Sequence, residues 1–418
     1  MDVGSIFKIL YITYDGLTDP LGQSQILPYL KGLSEAGYRF TVLSFEKKNR
    51  FQNEKQIIDK LTSQSNIEWV PLPFTSRPPL FSKLYDAVRM RSKAFELERT
   101  HHFDMVHCRS YVAADTGLQL KKRFGIKFFF DMRGFWADEK KDGSWNLKNP
   151  VYRKIYSYYK KKEADYLQNA DYVISLTEAG KNEIMKWPSY NKNVPLEVIP
   201  CCTDMDHFSL TNKEEKAAAR KILNLGSEDL VLSYLGSIGT WYMLEEMLLF
   251  FKQLKEKYQN AKFLFLTHSD PNLIRSKAKS LQLCNDDLIV TEAPRANVAK
   301  LLKASDINVS FIRPVYSKIS SSPTKLGEVL SMGIPVIANS GVGDVEYIID
   351  YTDGGYILKD FTRKEFAAAT SAIPELTGRD PASIRAKAEH FFSLQKGIEL
   401  YRKCYNELLP EKDQVINF

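Results

Sequence analysis

No stretch of the chain approaches the roughly 20 consecutive apolar residues that a bilayer-spanning helix needs, which excludes such a helix. Cysteine is scarce and odd in number: Cys108, Cys201, Cys202, Cys284 and Cys404, with no metal-ligand spacing. That argues against a disulfide framework or a structural zinc site and predicts reduced thiols in a cytosolic compartment. The first apolar run, 6–13, lacks a basic leader and a small-residue cleavage site, and Asp15 follows at once. A buried first strand is expected there rather than a signal segment. A nucleic-acid-binding motif is also missing, and a net charge of +7 on a 48.0 kDa chain is too modest to suggest nucleic acid as a partner.

What is present is ordinary in amount and uneven in placement. Hydrophobic residues make up 44% and charged residues 26%, as in soluble globular proteins, and 418 residues are too many for one core, so two domains are expected. Up to Asp204, Lys and Arg outnumber Asp and Glu by 31 to 24; beyond it the two classes are equal at 27 each. The whole positive excess therefore lies in the first half. There it mixes with aromatic and aliphatic residues in two clusters, one from Arg77 through Phe81, Lys83, Leu84, Tyr85, Arg89 and Arg91 to Lys93, the other from Tyr152 through Tyr158 and Tyr159 to Lys162. Either cluster alone reads first as a solvated helix face whose lysine stems cover the domain; the two together suit an anionic membrane surface or a phosphate-bearing substrate as well.

Apolar, β-rich runs fall at 6–13, 39–45, 67–74, 105–109, 127–132, 171–176 and 195–200, with helical patterns such as 23–36 and 112–124 between them. The alternation restarts with strands at 230–236, 262–267, 287–292, 306–312, 335–339 and 355–358 and helices at 242–257, 271–282, 295–304 and 323–332. Continuous apolar strands alternating with amphipathic helices mean parallel sheets covered on both faces. The fold class is therefore α/β, with two Rossmann-like domains, 1–205 and 206–390, whose parallel sheets are expected to face across a cleft. The polar stretch 211–216 lacks apolar periodicity and reads as the break. Ligands of such sheets bind beyond the carboxyl ends of the strands.

One segment, 320–346, combines three signals. A Ser/Pro-rich turn (Ser320, Ser322, Pro323) opens an amphipathic helix through Thr324, Lys325, Leu326 and Glu328. The helix stops at Gly333, and an apolar strand then ends in the small run Asn339-Ser340-Gly341-Val342-Gly343. A helix N-terminus with a nearby lysine suits phosphate. Glu328, one turn on, is placed to accept hydrogen bonds from sugar hydroxyls. The alternative readings are a surface cation for Lys325 and a capping or solvent carboxylate for Glu328.

In order and spacing these pieces resemble the GT-B glycosyltransferases, most of all the large retaining family 4. The similarity runs through Asp171-Tyr172-Val173-Ile174-Ser175, Val198-Ile199-Pro200 with Asp204-Met205-Asp206-His207-Phe208, the turn Tyr234-Leu235-Gly236-Ser237, the segment 320–346, and a terminal helix near 392–409 within a tail, 391–418, expected to cross back to the first domain. The resemblance implies a nucleoside diphosphate sugar donor, with UDP the common choice, and a leaving diphosphate stabilised by basic side chains and helix ends, with no metal and no cofactor. It assigns Lys325 to the diphosphate and Glu328 to the ribose. Gly236, Ser237, Pro294, Ser320, Ser322, Thr324 and Leu326 join the donor side, as do Gly22 and Gln23 in the loop after the first strand. Asp15, Arg109, Asp131, Arg133 and Trp136 fall to the acceptor side. Arg133 stands where the family often has a histidine, as an anion partner or in a structural ion pair with Asp131. The implied acceptor is a growing glycan, and the basic first half suggests one that is lipid-linked, at the inner face of an anionic membrane.

The chain departs from the family pattern at three points. Ser320 replaces the first glutamate of the usual pair. The turn Gly236–Tyr242 carries no base where the family has an Arg/Lys pair, and Arg313 and Lys318, after the 306–312 strand, are the candidates to supply that charge. These departures leave room for a non-catalytic nucleotide-sugar-binding protein or a nucleotide-sugar 2-epimerase of the same architecture. Asp204-x-Asp206 has the form of a metal site but sits at the crossover, where it reads as hinge structure. Gly236-x-x-Gly239 lacks the third glycine of a dinucleotide fingerprint. His107 reads as a core histidine.

Overall fold

A computed structural model describes residues 7–78 and 81–409 of the chain, the side chain of Ala296 excepted. Residue Ile6 of the first apolar run, Pro79 and Leu80 of the first basic cluster, and the tail after Leu409 lie outside the described residues. The first seven strands are β1 Lys8–Thr13, β2 Arg39–Glu46, β3 Glu68–Pro73, β4 Met105–Arg109, β5 Lys127–Asp131, β6 Tyr172–Ser175 and β7 Leu196–Val198. Six more follow: β8 Leu230–Leu235, β9 Ala261–Leu266, β10 Leu288–Thr291, β11 Ile307–Ser310, β12 Val336–Asn339 and β13 Gly355–Leu358. Each group forms one parallel sheet, in the orders β3-β2-β1-β4-β5-β6-β7 and β10-β9-β8-β11-β12-β13. Winding reverses between β1 and β4 and between β8 and β11. At such switch points the loops beyond neighbouring strands diverge and leave room for a ligand.

Side-chain alternation explains why these runs become buried strands. In β8, Val231 and Leu235 point into one apolar layer with Val336 and Ala338, while Leu232 and Tyr234 point into the other with Ile337. The first layer is closed by the helices Thr324–Ser331, Val345–Thr352 and Pro381–Phe392, the second by Leu244–Lys257, Pro271–Ser280 and Arg363–Gly378. Successive Cβ atoms alternate across a strand, so a sheet covered on both sides needs apolar residues at every position.

The chain divides into two compact units, Met1–Pro200 with Leu394–Phe418, and Cys201–Ser393. The division falls ahead of the expected boundary at 205 because the intervening residues are already tied into the second unit. Cys201 N–H donates to Ser322 Oγ at 3.1 Å, and Thr203 N–H to the Phe392 carbonyl at 2.7 Å. In the first unit the helix Leu394–Leu408 packs on Leu27–Glu35, where a Cβ on Gly32 would lie 2.4 Å from Ile398 Cδ1.

Two local expectations are corrected. The expected helix 23–36 is two helices, Pro20–Gln25 and Leu27–Glu35, hinged at Ile26, whose φ and ψ are −125° and −64°. Pro28 has no N–H to donate to residue 24, and its ring crowds that carbonyl. The polar stretch 211–216, read as a break, starts the helix Lys213–Ile222. Asn212 Oδ1 accepts from Glu215 N–H at 2.8 Å and Glu215 Oε2 accepts from Asn212 N–H at 3.2 Å, a capping box that satisfies two of the free donors at the helix start. Among the described residues no helix is long and apolar enough to cross a membrane.

The β12–β13 pair offers a test of the second sheet. A Cβ on Gly355 would lie 1.9 Å from the Val336 carbonyl oxygen, whereas one on Gly378 meets nothing within 4 Å. Gly355→Ala is expected to cost on the order of 1–3 kcal/mol and Gly378→Ala well under 1 kcal/mol, read as melting-temperature shifts of about 2–4 °C per kcal/mol. Equal melting temperatures would contradict the β12–β13 register.

Candidate active site

In the second unit the segment 320–346 spans the carboxyl end of β12 and the helix before it. Lys325 is the second residue of the helix Thr324–Ser331, and Arg295 is the first of Arg295–Leu302. Cations are unfavourable at helix N-termini, where the peptide dipoles already present positive charge. Both reach the same carboxylate: Lys325 Nζ lies 3.0 Å from Glu328 Oε2, and Arg295 Nη1 lies 3.4 Å from Glu328 Oε1. Glu328 is only 2% exposed. The two alternatives drawn from the sequence fare differently: Lys325 is about a third exposed on its helix, as a surface cation would be, whereas Glu328 is buried. The Lys325 ammonium is nevertheless paired, and Glu328 is neither a cap nor a solvent group. A carboxylate has about four acceptor positions, so two ion pairs leave Glu328 capacity for hydroxyl donors.

The neighbouring donor-side residues are placed less uniformly. Thr324 opens the helix after Pro323, which offers no side-chain cap. Ser322 Oγ accepts from Cys201 N–H, and Ser320 is buried with its hydroxyl donating to the Ser317 carbonyl at 3.0 Å. Leu326, expected among the donor contacts, points into the apolar layer at 2% exposure, so its side chain is a core side chain. Pro294 precedes Arg295 and is exposed.

The turn without a base does not lack charge. Gly236, with φ of 141°, follows β8, and Tyr234 OH donates to the Ser237 carbonyl at 2.6 Å, which fixes the turn. Trp241 lies in that turn, and two cations from the loop after β11 stack on its ring: Lys318 Nζ at 4.0 Å and the Arg313 guanidinium at 5.0 Å from the centroid. Arg313 N–H also donates to the Trp241 carbonyl at 2.8 Å. Asn339, ending β12, braces the same loop through both amide atoms, accepting from Ile312 N–H and donating to the Ile312 carbonyl. The β8/β11 switch point thus carries two cations supplied by β11 instead of β8.

The first unit concentrates charge at its own switch point. The cross-strand register sets Thr13 beside Arg109 and Arg109 beside Asp131. Asp131 is 1% exposed and is the hub. Its Oδ2 accepts from Tyr401 OH at 3.0 Å and lies 3.5 Å from His107 Nε2 and 3.9 Å from Arg109 Nη1; its Oδ1 lies 3.8 Å from Arg133 Nη1. Burial alone would raise its pKa; Arg133, His107 and Arg109 outweigh that and hold the carboxyl below its ordinary value. Burial lowers His107 in turn, and its Nδ1 meets Tyr405 OH at 2.6 Å. His107 is the core histidine expected from its position. Asp131, expected on the acceptor side, is instead enclosed between the arginines it holds. Arg133 adopts φ of 55°, a conformation rare for a residue with a Cβ and concentrated at functional sites. Arg109 Nε stands 3.6 Å from Asp15 Oδ2, at the half-exposed mouth of the group.

Gly22 and Gln23 do not open a helix. That helix begins at Pro20, and Gln23 N–H donates to the Asp19 carbonyl at 3.0 Å. Gly22 is required by packing, since a Cβ there would lie 2.2 Å from the Gly16 carbonyl oxygen. The loop is held by Glu46, at the end of β2, which accepts from Leu17 N–H at 2.8 Å and Thr18 N–H at 3.1 Å. Trp136 starts the helix Trp136–Gly143 and packs on Tyr159 at 4.7 Å. Asp204 Oδ1 accepts from Asp206 N–H and His207 N–H, both at 3.1 Å, so that motif is a turn. Among the described residues no group of three or more His, Cys, Asp or Glu side chains is arranged to hold a metal ion.

Two family descriptions match the chain, Glycosyltransferase Family 4 over residues 25–207 and Glycosyl transferases group 1 over residues 215–389. The chain is a glycosyltransferase of the GT-B type. Solved structures share its fold across nearly the whole length. Sucrose-phosphate synthase from Thermosynechococcus elongatus superposes with a TM-score of 0.73 at 16% identity, covering 96% of this chain and 99% of that one. HepE from Anabaena in complex with UDP gives 0.73 at 12%, covering 96% and 100%. WaaG, a glycosyltransferase involved in lipopolysaccharide biosynthesis, gives 0.67 at 14%, also covering 96% and 100%. No curated protein matches the chain by sequence.

For this glycosyltransferase the residues missed from sequence are Arg295 and Glu46. Each carried a signal: a base opening a helix against its dipole, and an acid ending an otherwise apolar strand. The Asp131 hub makes a prediction of its own. Asp131→Asn leaves two buried arginines without their shared carboxylate and is expected to cost about 3–5 kcal/mol, seen in denaturant unfolding. Because the folded pKa is lowered, the unfolded chain binds the extra proton. The ionised form's stabilisation is therefore complete above the unfolded carboxyl value near pH 4 and is lost as pH falls further through the folded value. The asparagine variant should lose that part of the acid dependence.

Proposed function

We propose that the enzyme moves a sugar from a nucleoside diphosphate donor, UDP-linked by preference, to a growing lipid-linked glycan at the inner face of a membrane, with retention at the anomeric carbon. The observation that carries this reading is the pairing of Glu328 with Lys325 and Arg295 beside the helix Thr324–Ser331. A ribose hydroxyl pair suits the remaining acceptor positions of Glu328, and a diphosphate suits the two cations and the free N–H groups of the helix start. Arg313 and Lys318, gathered on Trp241, supply positive charge at the switch point of the same sheet. As the bond to the sugar breaks, charge grows on the diphosphate, and fixed cations stabilise it most at that stage. The UDP preference is supported by the HepE complexes with UDP and with UDP-glucose, and the glycan acceptor by the role of WaaG in lipopolysaccharide biosynthesis.

In the first unit, Arg109 and Arg133, positioned by Asp131, serve the acceptor or the transferred sugar as hydrogen-bond donors, with Asp15 at the mouth. Ser320 stands where the family's first glutamate would be, so the contact it would make to the donor sugar falls to other groups of this loop.

The test is transfer and binding with a panel of nucleotide sugars. A donor that binds the folded state raises the melting temperature. Lys325→Ala is expected to lower kcat by about 10²–10³-fold, and Glu328→Ala to weaken donor binding by about 10–100-fold, in line with the loss of one charged hydrogen-bond partner. Turnover should persist in excess chelator, and the product should keep the donor's anomeric configuration. Variants that transfer as well as wild type, or sugar conversion without acceptor, would reject the reading; the latter is the behaviour of an epimerase.

A further inference from the structure

The helix Phe81–His101 buries Ser82, Asp86, Met90, Ala94 and Leu97 along one side. On the other, Phe81, Leu84, Tyr85 and Val88 are 72, 65, 58 and 48% exposed. The spacing i, i+3, i+4, i+7 makes them one apolar stripe, unlike the singly scattered apolar residues of ordinary surfaces. No exposed acid accompanies it. Asp86 is enclosed, accepting from Tyr14 OH and Thr75 N–H at 3.0 Å each, and the next carboxylate on the helix beyond Val88 is Glu96, paired with Lys93.

The same end of the helix sends Lys83 to the ring of Trp136, 5.9 Å from its centroid, and Lys140 meets that ring at 5.7 Å. Burial and the neighbouring Lys140 both lower the pKa of Lys83. Neither ammonium has a carboxylate partner among the described residues. Trp136 also packs on Tyr159 of the helix Pro150–Asn169, where residues 151–162 hold five Lys and Arg, of which Lys160 is paired with Asp138 and Glu163 and Lys162 with Asp115. Tyr158 and Val151 of that helix are 54% and 53% exposed. Two basic, aromatic segments far apart in sequence thus meet around one tryptophan.

We infer that this face of the first unit docks on an anionic lipid bilayer, the stripe Phe81, Leu84, Tyr85 and Val88 entering the headgroup boundary while Lys83 and Lys140 hold a lipid phosphate beside Trp136. An apolar stripe bordered by lysines, arginines and aromatic rings is the composition of an interfacial helix; Lys141, Lys160 and Lys162 are neutralised by Asp138, Glu163 and Asp115, and it is Lys83 and Lys140, outside those pairs, that select an anionic surface. The inference rests on the proposed lipid-linked acceptor only in that it gives the acceptor's phosphate a seat; the bilayer contact follows from the face itself.

Sedimentation of the intact protein with vesicles of mixed phosphatidylglycerol and phosphatidylcholine, against phosphatidylcholine alone, measures it. Partitioning is expected to be at least about tenfold stronger on the anionic vesicles and to fall with added salt. The double substitution Leu84→Glu with Tyr85→Glu should reduce it about tenfold or more at an unchanged melting temperature, since both side chains are exposed. Lys83→Ala with Lys140→Ala should narrow the preference for anionic vesicles. Equal partitioning on both vesicle types, full binding by the glutamate variant, or equally strong, salt-sensitive capture by polyglutamate would overturn the inference. Vesicle binding needs no sugar donor, so its failure and that of the transferase reading are separately visible.

Discussion

A strand covered by helices on both faces has no solvent side on which to carry a charge. Burying an unpaired charge is prohibitively costly, so in both sheets ionisable groups are pushed to the ends of the strands, or are enclosed in mutual pairs. That constraint organises the molecule. In the second unit Val231 and Leu232 face opposite apolar layers, and the uncharged polar pair inside the sheet, Ser233 and Asn308, satisfies itself, Asn308 Nδ2 donating to Ser233 Oγ at 3.0 Å. In the first, the neighbouring strands β4 and β5 end in Arg109 and Asp131, side by side in the register. The parallel arrangement then brings every carboxyl end to the same edge, and the reversal of strand order opens room there for a ligand.

Within that edge, charge is handled in two ways. The first unit encloses it: one carboxylate, Asp131, is shared by Arg109, Arg133, His107 and Tyr401, so its loss is felt by all of them. Such a hub fixes the direction of two guanidinium groups at the carboxyl edge of the sheet. The second unit leaves its charge half-open. Lys325 and Arg295 are about a third exposed at the side chain while the Glu328 they share is buried. A ligand anion can therefore join the cations without first freeing them from the core.

Much of this was legible in the sequence. The thirteen strands among the described residues were visible as apolar runs because burial of the sheets on both faces keeps most strand positions apolar, the outer strands β3, β7, β10 and β13 being only partly buried. The helix around Lys325 and Glu328 was visible because an amphipathic period, a Pro start and a Gly stop agree. Smaller features were written in local chemistry but passed over: the Asn212–Glu215 capping box in a stretch that looked like a linker, and Pro28 breaking what looked like one helix.

The amino-acid sequence by itself determined the doubled α/β alternation, the two parallel sheets and the family, since each depends on periodicity and order along the chain. Only the tertiary structure decided which distant residues share a site. Nothing in sequence spacing joins Arg295 to Glu328, Lys318 to Trp241, Tyr401 to Asp131, or Lys83 to Trp136. Those pairings depend on the register and winding of the strands. Register brings together side chains whose separation along the chain carries no energetic signal until the sheet forms.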